Sequence, residues 1–275
     1  MQGIKVSAVT VTYFSDLALM RSLLLSLEAA AVKLFAEHGY RCEYVIVDNS
    51  ADDDYFWRLE TLCYVFFNTD YLSIHIIKAS KNLGFGGGNN LVLDRLDSEF
   101  HLVVNPDVML EQDALCRAIE YLKNNNDVGM VSPRIIDAGF EFAHVIKAYP
   151  DCVTLLLRYA EIPMLTKWFA ARLGRYACAN LTGDSNKDVQ LAGGCFLLMR
   201  TYLFEKLNGF DDFFFVYFED FDFSIRISQY AKIAYVPAVR ITHMGGHAGR
   251  KTLKHHLLFA VSALKFFYRH GWKLW

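Results

Sequence analysis

Between Lys5 and Val104 the sequence alternates short apolar runs with segments of helical periodicity, and nothing else in it constrains the fold as tightly. Residues 5–14 are rich in valine and threonine, which suit a pleated strand. Ser15-Asp16 supplies a helix N-cap. Leu17, Met20, Leu24, Leu27, Ala31 and Leu34 then fall on one face of an amphipathic helix that Gly39 ends. Residues 43–47 are nearly all apolar, as in a strand buried within a parallel sheet. Asp48-Asn49-Ser50 closes that strand. Residues 52–67 read as helix, 72–78 as a third strand, 82–90 as a glycine-rich loop, 91–96 as a short helix and 101–104 as a fourth strand. This β-α-β-α-β-α-β run predicts an α/β fold with an open parallel sheet and its ligand at the carboxyl ends of the strands.

Helix 112–124 and strand 128–132 continue the pattern. Residues 137–188 support only loops and short helices. Strand 189–199, helix 202–207 with Gly209 as its cap, helix 219–230 and strand 233–241 follow. No linker or composition break interrupts the chain, which predicts one domain with two functional halves and an amphipathic tail. Hydrophobic residues make up 53% of the chain and aromatics 15%, enough for a sizeable core and incompatible with disorder. No apolar run reaches the ~18 residues of a membrane span, and the start lacks a leader's apolar core. A cytosolic location is the expectation. Six scattered cysteines without a CxxC pair predict reduced thiols, and the histidine spacing predicts no zinc site.

Charge is distributed unevenly. Asp222 is the last acidic residue, and nine Lys and Arg follow it, at 226, 232, 240, 250, 251, 254, 265, 269 and 273. Such a basic end suggests an anionic partner. The interleaved Phe259, Phe266, Phe267, Tyr268, Trp272 and Trp275 suit a membrane surface better than nucleic acid. From Leu253 onward, Leu257, Ala260, Val261, Leu264 and Phe267 share one helical face, and Lys254, Ser262, Lys265 and Arg269 the other. A helix lying in the membrane interface and a helix packed on the core both satisfy this pattern.

Five constellations can carry chemistry, and each has a plain structural reading as well. Asp48 ends a strand where an acid can accept hydrogen bonds from a ribose or a base edge, or it belongs to a capping turn. Glycines 84 and 86–88 let backbone N–H groups approach a diphosphate, or form a flexible turn. The dinucleotide fingerprint fails at Asn89 and the P-loop lysine is missing. In Asn105-Pro106-Asp107 the final carboxylate is placed to hold Mg²⁺ or Mn²⁺, or merely ends a strand. Glu219, Asp220 and Asp222 lie within the aromatic run 213–223. Apolar surroundings there raise a carboxylate toward a general-base value, though the acids also suit a helix N-terminus. His243 and Arg250 sit on a glycine-flanked loop, where a metal ligand and a phosphate partner are balanced against structural roles.

Taken in order, these motifs resemble the family 2 inverting glycosyltransferases of the GT-A fold, and within them bacterial rhamnosyltransferase-like enzymes of polysaccharide assembly. Val-Thr-Tyr-Phe (11–14), Val-Asp-Asn-Ser (47–50), the glycine-rich stretch 82–90, Asn-Pro-Asp (105–107), Gly-Gly-Cys-Phe-Leu-Leu-Met-Arg (193–200), Phe-Glu-Asp-Phe-Asp (218–222) and the His243 loop carry the resemblance. It implies a Rossmann-like, mostly parallel central sheet flanked by helices. Residues 1–250 would form the catalytic domain, with the nucleotide half at 1–107 and the acceptor half at 108–250, and residues 251–275 the basic tail. It further implies a nucleotide-sugar donor, a divalent cation and an acceptor.

Carried over residue by residue, Thr12, Tyr13, Asp48, Asn82 and Gly84 would line the base and ribose pocket. Asn105 and Asp107 would face the diphosphate, with Asp107 and His243 on the metal and Arg250 on a phosphate. Gly193 and Gly194 would give the donor sugar room, with Glu219 beside it and Asp220 as general base. Asn105 replaces the first acid of the family's broader Asp-x-Asp motif, as in the rhamnosyl-like subgroup. The implied reaction is a single inverting displacement moving a sugar, L-rhamnose from dTDP-L-rhamnose in the first instance, to a saccharide or lipid-linked acceptor on the inner face of the cell membrane. Alternatives are a UDP-hexose or galactofuranose donor, a non-catalytic nucleotide-sugar-binding subunit, and an NAD-dependent oxidoreductase. The last is weakened by the failed fingerprint.

Overall fold

The computed structural model describes residues 4–66, 69–136, 145–160, 162–179, 181, 185, 187–244 and 253–275. Its first half follows the alternation of the sequence. Strand β1 (Ile4–Thr12) leads into helix α1 (Leu17–His38), then β2 (Arg41–Asp48), α2 (Asp53–Cys63), β3 (Leu72–Lys78), α3 (Gly84–Asn90) and β4 (Phe100–Val104). Asp16 caps α1 by accepting from the Ala18 N–H at 2.7 Å. Gly39, at φ 68°, ends the helix with its N–H on the Phe35 carbonyl. Met20, Leu23, Leu24, Leu27, Ala30, Ala31 and Leu34 are buried on the sheet. Each leucine contributes roughly 1.5–3 kcal/mol by leaving water.

The second half adds β5 (Val108–Leu110), α4 (Ala114–Asn124), β6 (Val128–Ile136), β7 (Ile146–Lys147), α5 (Cys152–Ala160), α6 (Pro163–Trp168) and α7 (Ala170–Tyr176). It continues through β8 (Leu191–Ala192), β9 (Phe196–Arg200), α8 (Thr201–Lys206), α9 (Glu219–Ile227), β10 (Lys232–His243) and α10 (Leu253–His270). The eight-stranded sheet has the order β3-β2-β1-β4-β9-β6-β10-β5. Strands β1 to β4 are parallel, as expected. Beyond β4 the sheet is mixed: β9 runs antiparallel to both β4 and β6, and β5 antiparallel to β10. The expected strand 189–199 is therefore two strands. Gly193 and Gly194 break it, β8 pairs with β7 in a separate ribbon, and β9 enters the main sheet.

Residues 84–90, expected to be a loop, form the helix α3. Its glycines answer packing needs. A Cβ on Gly86 would lie 2.8 Å from Phe210 Cβ, and one on Gly88 would lie 2.8 Å from Val11 Cγ1. Gly84, at φ +76°, has the Phe215 carbonyl oxygen where its Cβ would be, 2.0 Å away. The helix is glycine-rich because it is pressed between β1 and the aromatic run.

Helix α10 packs on the domain by a face that joins Ser262, Lys265 and Arg269, expected to be polar, with Phe266 and with Phe267 of the expected apolar face. Ser262, Phe266 and Phe267 are buried, against a cluster that includes Leu155, Tyr176, Phe214 and Phe218. Ser262 Oγ donates to the Val216 carbonyl and Lys265 Nζ to that of Phe213. Arg269 pairs with Asp211 and Asp222, and His270 with Asp222. The stripe of Leu257, Val261, Leu264 and Tyr268 faces outward. No helix among the described residues is long and apolar enough to cross a membrane.

Candidate active site

The carboxyl ends of β1, β2 and β4 meet at one edge of the sheet. Thr12 ends β1 opposite Asp48 at the end of β2, and both are fully buried. Thr12 Oγ1 and Asp48 Oδ2 have no hydrogen-bond partner, while Asp48 Oδ1 accepts from the Ser50 N–H at 2.9 Å. Two buried polar atoms without partners, side by side at a strand end, are the donor and acceptor a polar ligand would satisfy. Tyr13 beside them is exposed, with its ring edge-on to Phe14.

Asn49 organises this edge. Its Nδ2 donates to the Asn82 side chain at 3.1 Å and to the Gly84 carbonyl at 2.8 Å, and its Oδ1 accepts from the Leu83 N–H. Asn82 Oδ1 in turn accepts from the Gly84 N–H. Asn82 and Gly84 are thus tied to the end of β2. Asn49 does this work, although the sequence reading gave it no role beyond its place in the Val-Asp-Asn-Ser motif.

Asp107 follows β4 in the turn Asn105-Pro106-Asp107. The Asn105 N–H bonds to the Cys195 carbonyl at 3.0 Å, and the Asn105 carbonyl accepts from Val108. Antiparallel pairing of β5 with β10 sets His243 against Val108 and brings its Nε2 to 3.2 Å from Asp107 Oδ1. The Met244 N–H bonds to the Asp107 carbonyl. Asp107 Oδ1 is a buried oxygen without a hydrogen bond. A buried carboxylate oxygen and an imidazole nitrogen 3.2 Å apart offer two ligand atoms to a divalent cation. Arg250 lies outside the described residues.

The second acidic group enters on α9, after two successive residues in the left-handed region, Tyr217 (φ 68°) and Phe218 (φ 69°). Neither is glycine, and each such residue costs on the order of 1 kcal/mol, which the surrounding aromatic packing offsets. The result places Asp220 against the Gly193-Gly194 break. Its Oδ2 accepts from the Gly194 N–H at 2.8 Å and its Oδ1 from the Phe221 N–H at 2.9 Å. A Cβ on Gly193 would lie 3.0 Å from Val145 Cγ1 and 3.9 Å from Asp220 Oδ2, and one on Gly194 3.2 Å from the Phe85 ring.

Burial raises the Asp220 carboxyl to about 6, against the lowering effect of those N–H donors and of Lys147. Glu219 is buried with one oxygen unpartnered, and burial plus the adjacent Asp220 charge raise its carboxyl well above the ordinary range. Asp222 behaves oppositely. Burial alone would raise it, but bonds from His270 and Arg226 hold it below the ordinary value. Three neighbouring acids therefore divide: Glu219 and Asp220 are shifted up, and Asp222, the anchor for α10, is shifted down.

Lys147 belongs to this site, and the sequence offered no signal for it. On β7 the Ile146 side chain enters the core, so Lys147 shares the opposite face with Val145, the residue packed against Gly193. Its ammonium is pushed down to about 8, mainly by burial and then by Arg158, while Cys178, Cys195 and Asp220 oppose that. Cys195 links the two acidic centres. Its buried thiol, pushed up to about 12, feels both Asp107 and Asp220 after burial itself.

Two carboxylate centres, one paired with a histidine and one poised as a base, flank a sheet edge with buried polar atoms to satisfy. Residues 7–208 match the family model of glycosyl transferase family 2, and the chain belongs to that family. It is a glycosyltransferase, built on a mixed α/β domain with a mostly parallel central sheet. The matched span contains Asp48 and Asp107 and stops before Asp220.

Among curated proteins, rhamnosyltransferase WbbL of Escherichia coli K12 is 24% identical over 254 residues, covering 82% of this chain and 88% of WbbL. The N-acetylglucosaminyl-diphospho-decaprenol L-rhamnosyltransferase of Mycobacterium tuberculosis is 23% identical, over 67% of this chain and 64% of that protein. Among solved structures, the mannosyltransferase PcManGT of Pyrobaculum calidifontis, in complex with GDP-Man and Mn²⁺, aligns with a TM-score of 0.61. The identity is 17%, over 95% of this chain and 64% of that one. S. aureus TarS 1-349 with UDP-GlcNAc aligns at 0.56 with 17% identity, over 96% and 67%. These structures share the fold.

Proposed function

We propose that this chain transfers L-rhamnose from dTDP-L-rhamnose to a saccharide or lipid-linked acceptor in cell-surface polysaccharide synthesis, inverting the anomeric configuration. The supporting observation is Asp220, a half-buried carboxylate raised toward neutrality and fixed against the Gly193-Gly194 break by the Gly194 and Phe221 N–H groups. Asp220 takes the proton of an acceptor hydroxyl, that oxygen bonds to the anomeric carbon, and the carbon–oxygen bond to the diphosphate breaks with its electron pair leaving on the nucleotide. Burial and the adjacent Asp220 charge shift Glu219 toward its neutral form, which limits negative charge beside this base. Lys147 favours the ionised form of Asp220 between turnovers.

Thr12, Tyr13, Asp48, Asn82 and Gly84 receive the base and ribose in this reading, with Asn49 holding Asn82 and Gly84 in place. Gly193 and Gly194 are assigned to the donor sugar, Asn105 to the diphosphate and Arg250 to a phosphate. Asp107 and His243 would hold Mg²⁺ or Mn²⁺, which when bound offsets the charge developing on the leaving diphosphate. The rhamnosyltransferase names of two relatives favour the rhamnosyl donor. The solved structures with GDP-Man and UDP-GlcNAc keep a hexosyl donor as a second reading. A panel of nucleotide sugars read by thermal shift separates the two, since a bound donor stabilises the fold by mass action. Stabilisation by dTDP-L-rhamnose alone supports the first reading, and stabilisation only by UDP- or GDP-hexoses overturns it.

Attachment to the inner membrane face belongs to the same reading, with a changed physical basis. Lys265 and Arg269 are spent on intramolecular partners, so charge contributes less than the sequence suggests. The outward stripe of Leu257, Val261, Leu264 and Tyr268, with exposed Trp272 and Trp275, supplies interfacial contact. A double substitution of Leu257 and Leu264 by Gln lowers co-sedimentation with anionic vesicles without lowering Tm. Undiminished binding by that variant counts against this mode.

A further inference from the structure

Away from the catalytic edge, α1 ends and β2 begins at the amino-terminal side of the parallel strands, where a second set of ligating side chains gathers. Glu37 and His38 occupy the last turn of α1, and Cys116 lies on the adjacent α4. One ligand atom from each of these three lies within 4.8 Å of the others. Glu120, four residues after Cys116, shares its helix face, and its Oε1 is 3.4 Å from His38 Nε2. That imidazole nitrogen is buried and makes no hydrogen bond, while the ring leans on Tyr40 at 5.7 Å. We propose that Glu37, His38, Cys116 and Glu120 form a second metal site, for a zinc-class divalent ion that clamps the end of α1 to α4.

The donor set selects the ion. One thiolate, one imidazole and two carboxylates suit Zn²⁺ or Co²⁺ and not Mg²⁺ or Ca²⁺, which take oxygen. Metal–ligand distances of about 2.0–2.3 Å in a tetrahedral site require Glu37, His38 and Cys116 to close by roughly 1 Å, and Glu120, which reaches His38 and not all three, to swing in as the fourth ligand. Charge favours occupancy too. Glu37 stands at the carbonyl end of α1, where a helix repels an acid and attracts a cation, with Lys33 at 3.6 Å and the Cys116 thiol beside it. With the metal bound, three anionic ligands would face one divalent ion and one ammonium. The Cys116 thiol proton passes to solvent as the sulfur–metal bond forms. The separation of Glu37–His38 from Cys116–Glu120 along the chain explains why ligand spacing in the sequence hides the site.

The test adds Co²⁺ to the reduced, metal-free full-length chain and follows its absorption. One equivalent producing a thiolate-to-cobalt charge-transfer band with tetrahedral visible bands is expected. Cys116→Ser abolishes that band, His38→Gln weakens cobalt binding at least ~10-fold, and Asp107→Ala, at the catalytic edge, leaves the band intact. Because Cys116 is buried, His38→Gln on a partly exposed residue decides the matter if Cys116→Ser does not fold. No thiolate band in the wild-type chain, or a full band at unchanged affinity in either site variant, or loss of the band in Asp107→Ala, overturns the proposal.

Discussion

The two sides of the sheet solve different problems. From β3 to β4 the strands are parallel and consecutive in connection, and their carboxyl ends deliver Thr12, Asp48 and the Asn105–Asp107 turn by regular geometry. From β9 to β5 the strands are mixed, and the site residues arrive by irregular means: a glycine break, two left-handed aromatic residues and an antiparallel edge strand. The parallel side leaves buried polar atoms without hydrogen bonds at its strand ends. The mixed side holds carboxylates in chosen protonation states.

Substitutions break this comparison with effects of decreasing size. The largest is Gly84→Ala, where the joint between the two sides fails. Its Cβ would overlap the Phe215 carbonyl oxygen, and its left-handed backbone adds on the order of 1 kcal/mol of strain for alanine. A loss above about 4 kcal/mol, read by denaturant unfolding, is expected, and Gly87→Ala, whose nearest neighbour is Leu83 Cβ at 3.2 Å, loses far less. Asp222→Ala comes next. It strips a fully buried carboxylate from Arg226 and His270 and costs about 3 kcal/mol, with α10 undocking first.

The same residue sets an acid limit. Because its folded value is depressed, Asp222 stabilises above the ordinary carboxylate value near ~4 and loses that contribution as pH falls through its folded value. Trp272, stacked on Phe267, reports the undocking by fluorescence. Asp220 has the reverse sign. Its raised value makes the ionised base disappear on acidification, so kcat/KM falls below about pH 6, a value belonging to the Glu219–Asp220 pair. The smallest effect is Lys147→Met, which moves that acid limb upward and leaves the high-pH plateau within a few-fold.

Legibility followed the same divide. The helix and strand periodicities of β1, α1, β2 and β3 are local, so their bounds were readable to within a residue or two, and α1 even shows its caps. Asp48 and Asp107 were legible as acids at strand ends and Asp220 as an acid costly to place among aromatics, while the roles given to them came from the family resemblance. The helical state of residues 84–90 was not. Glycine disfavours a helix locally, and only Val11, Phe210 and Phe215, distant in sequence, explain it. The β8–β9 break depends on pairing with β7, and the inward face of α10 on Asp211, Asp222 and the Phe213–Phe218 segment. Lys147 gave no signal, since its place depends on a two-residue strand in the stretch with the weakest pattern.

In the proposed reaction the two acidic centres divide labour, with the donor held at Asp107 and the proton removed at Asp220. Calorimetric titration of the nucleotide-sugar donor, with Mn²⁺ present, into the wild-type chain, Asp107→Ala and Asp220→Asn tests this directly, with transfer assayed on the same samples. Both variants lose transfer, Asp220→Asn by at least ~10²-fold as expected for removal of a general base. Donor affinity drops in Asp107→Ala and stays within about two-fold of wild type in Asp220→Asn, which alters one atom of a group placed on the acceptor side. Unchanged donor affinity in Asp107→Ala, or near wild-type transfer by Asp220→Asn, would contradict it.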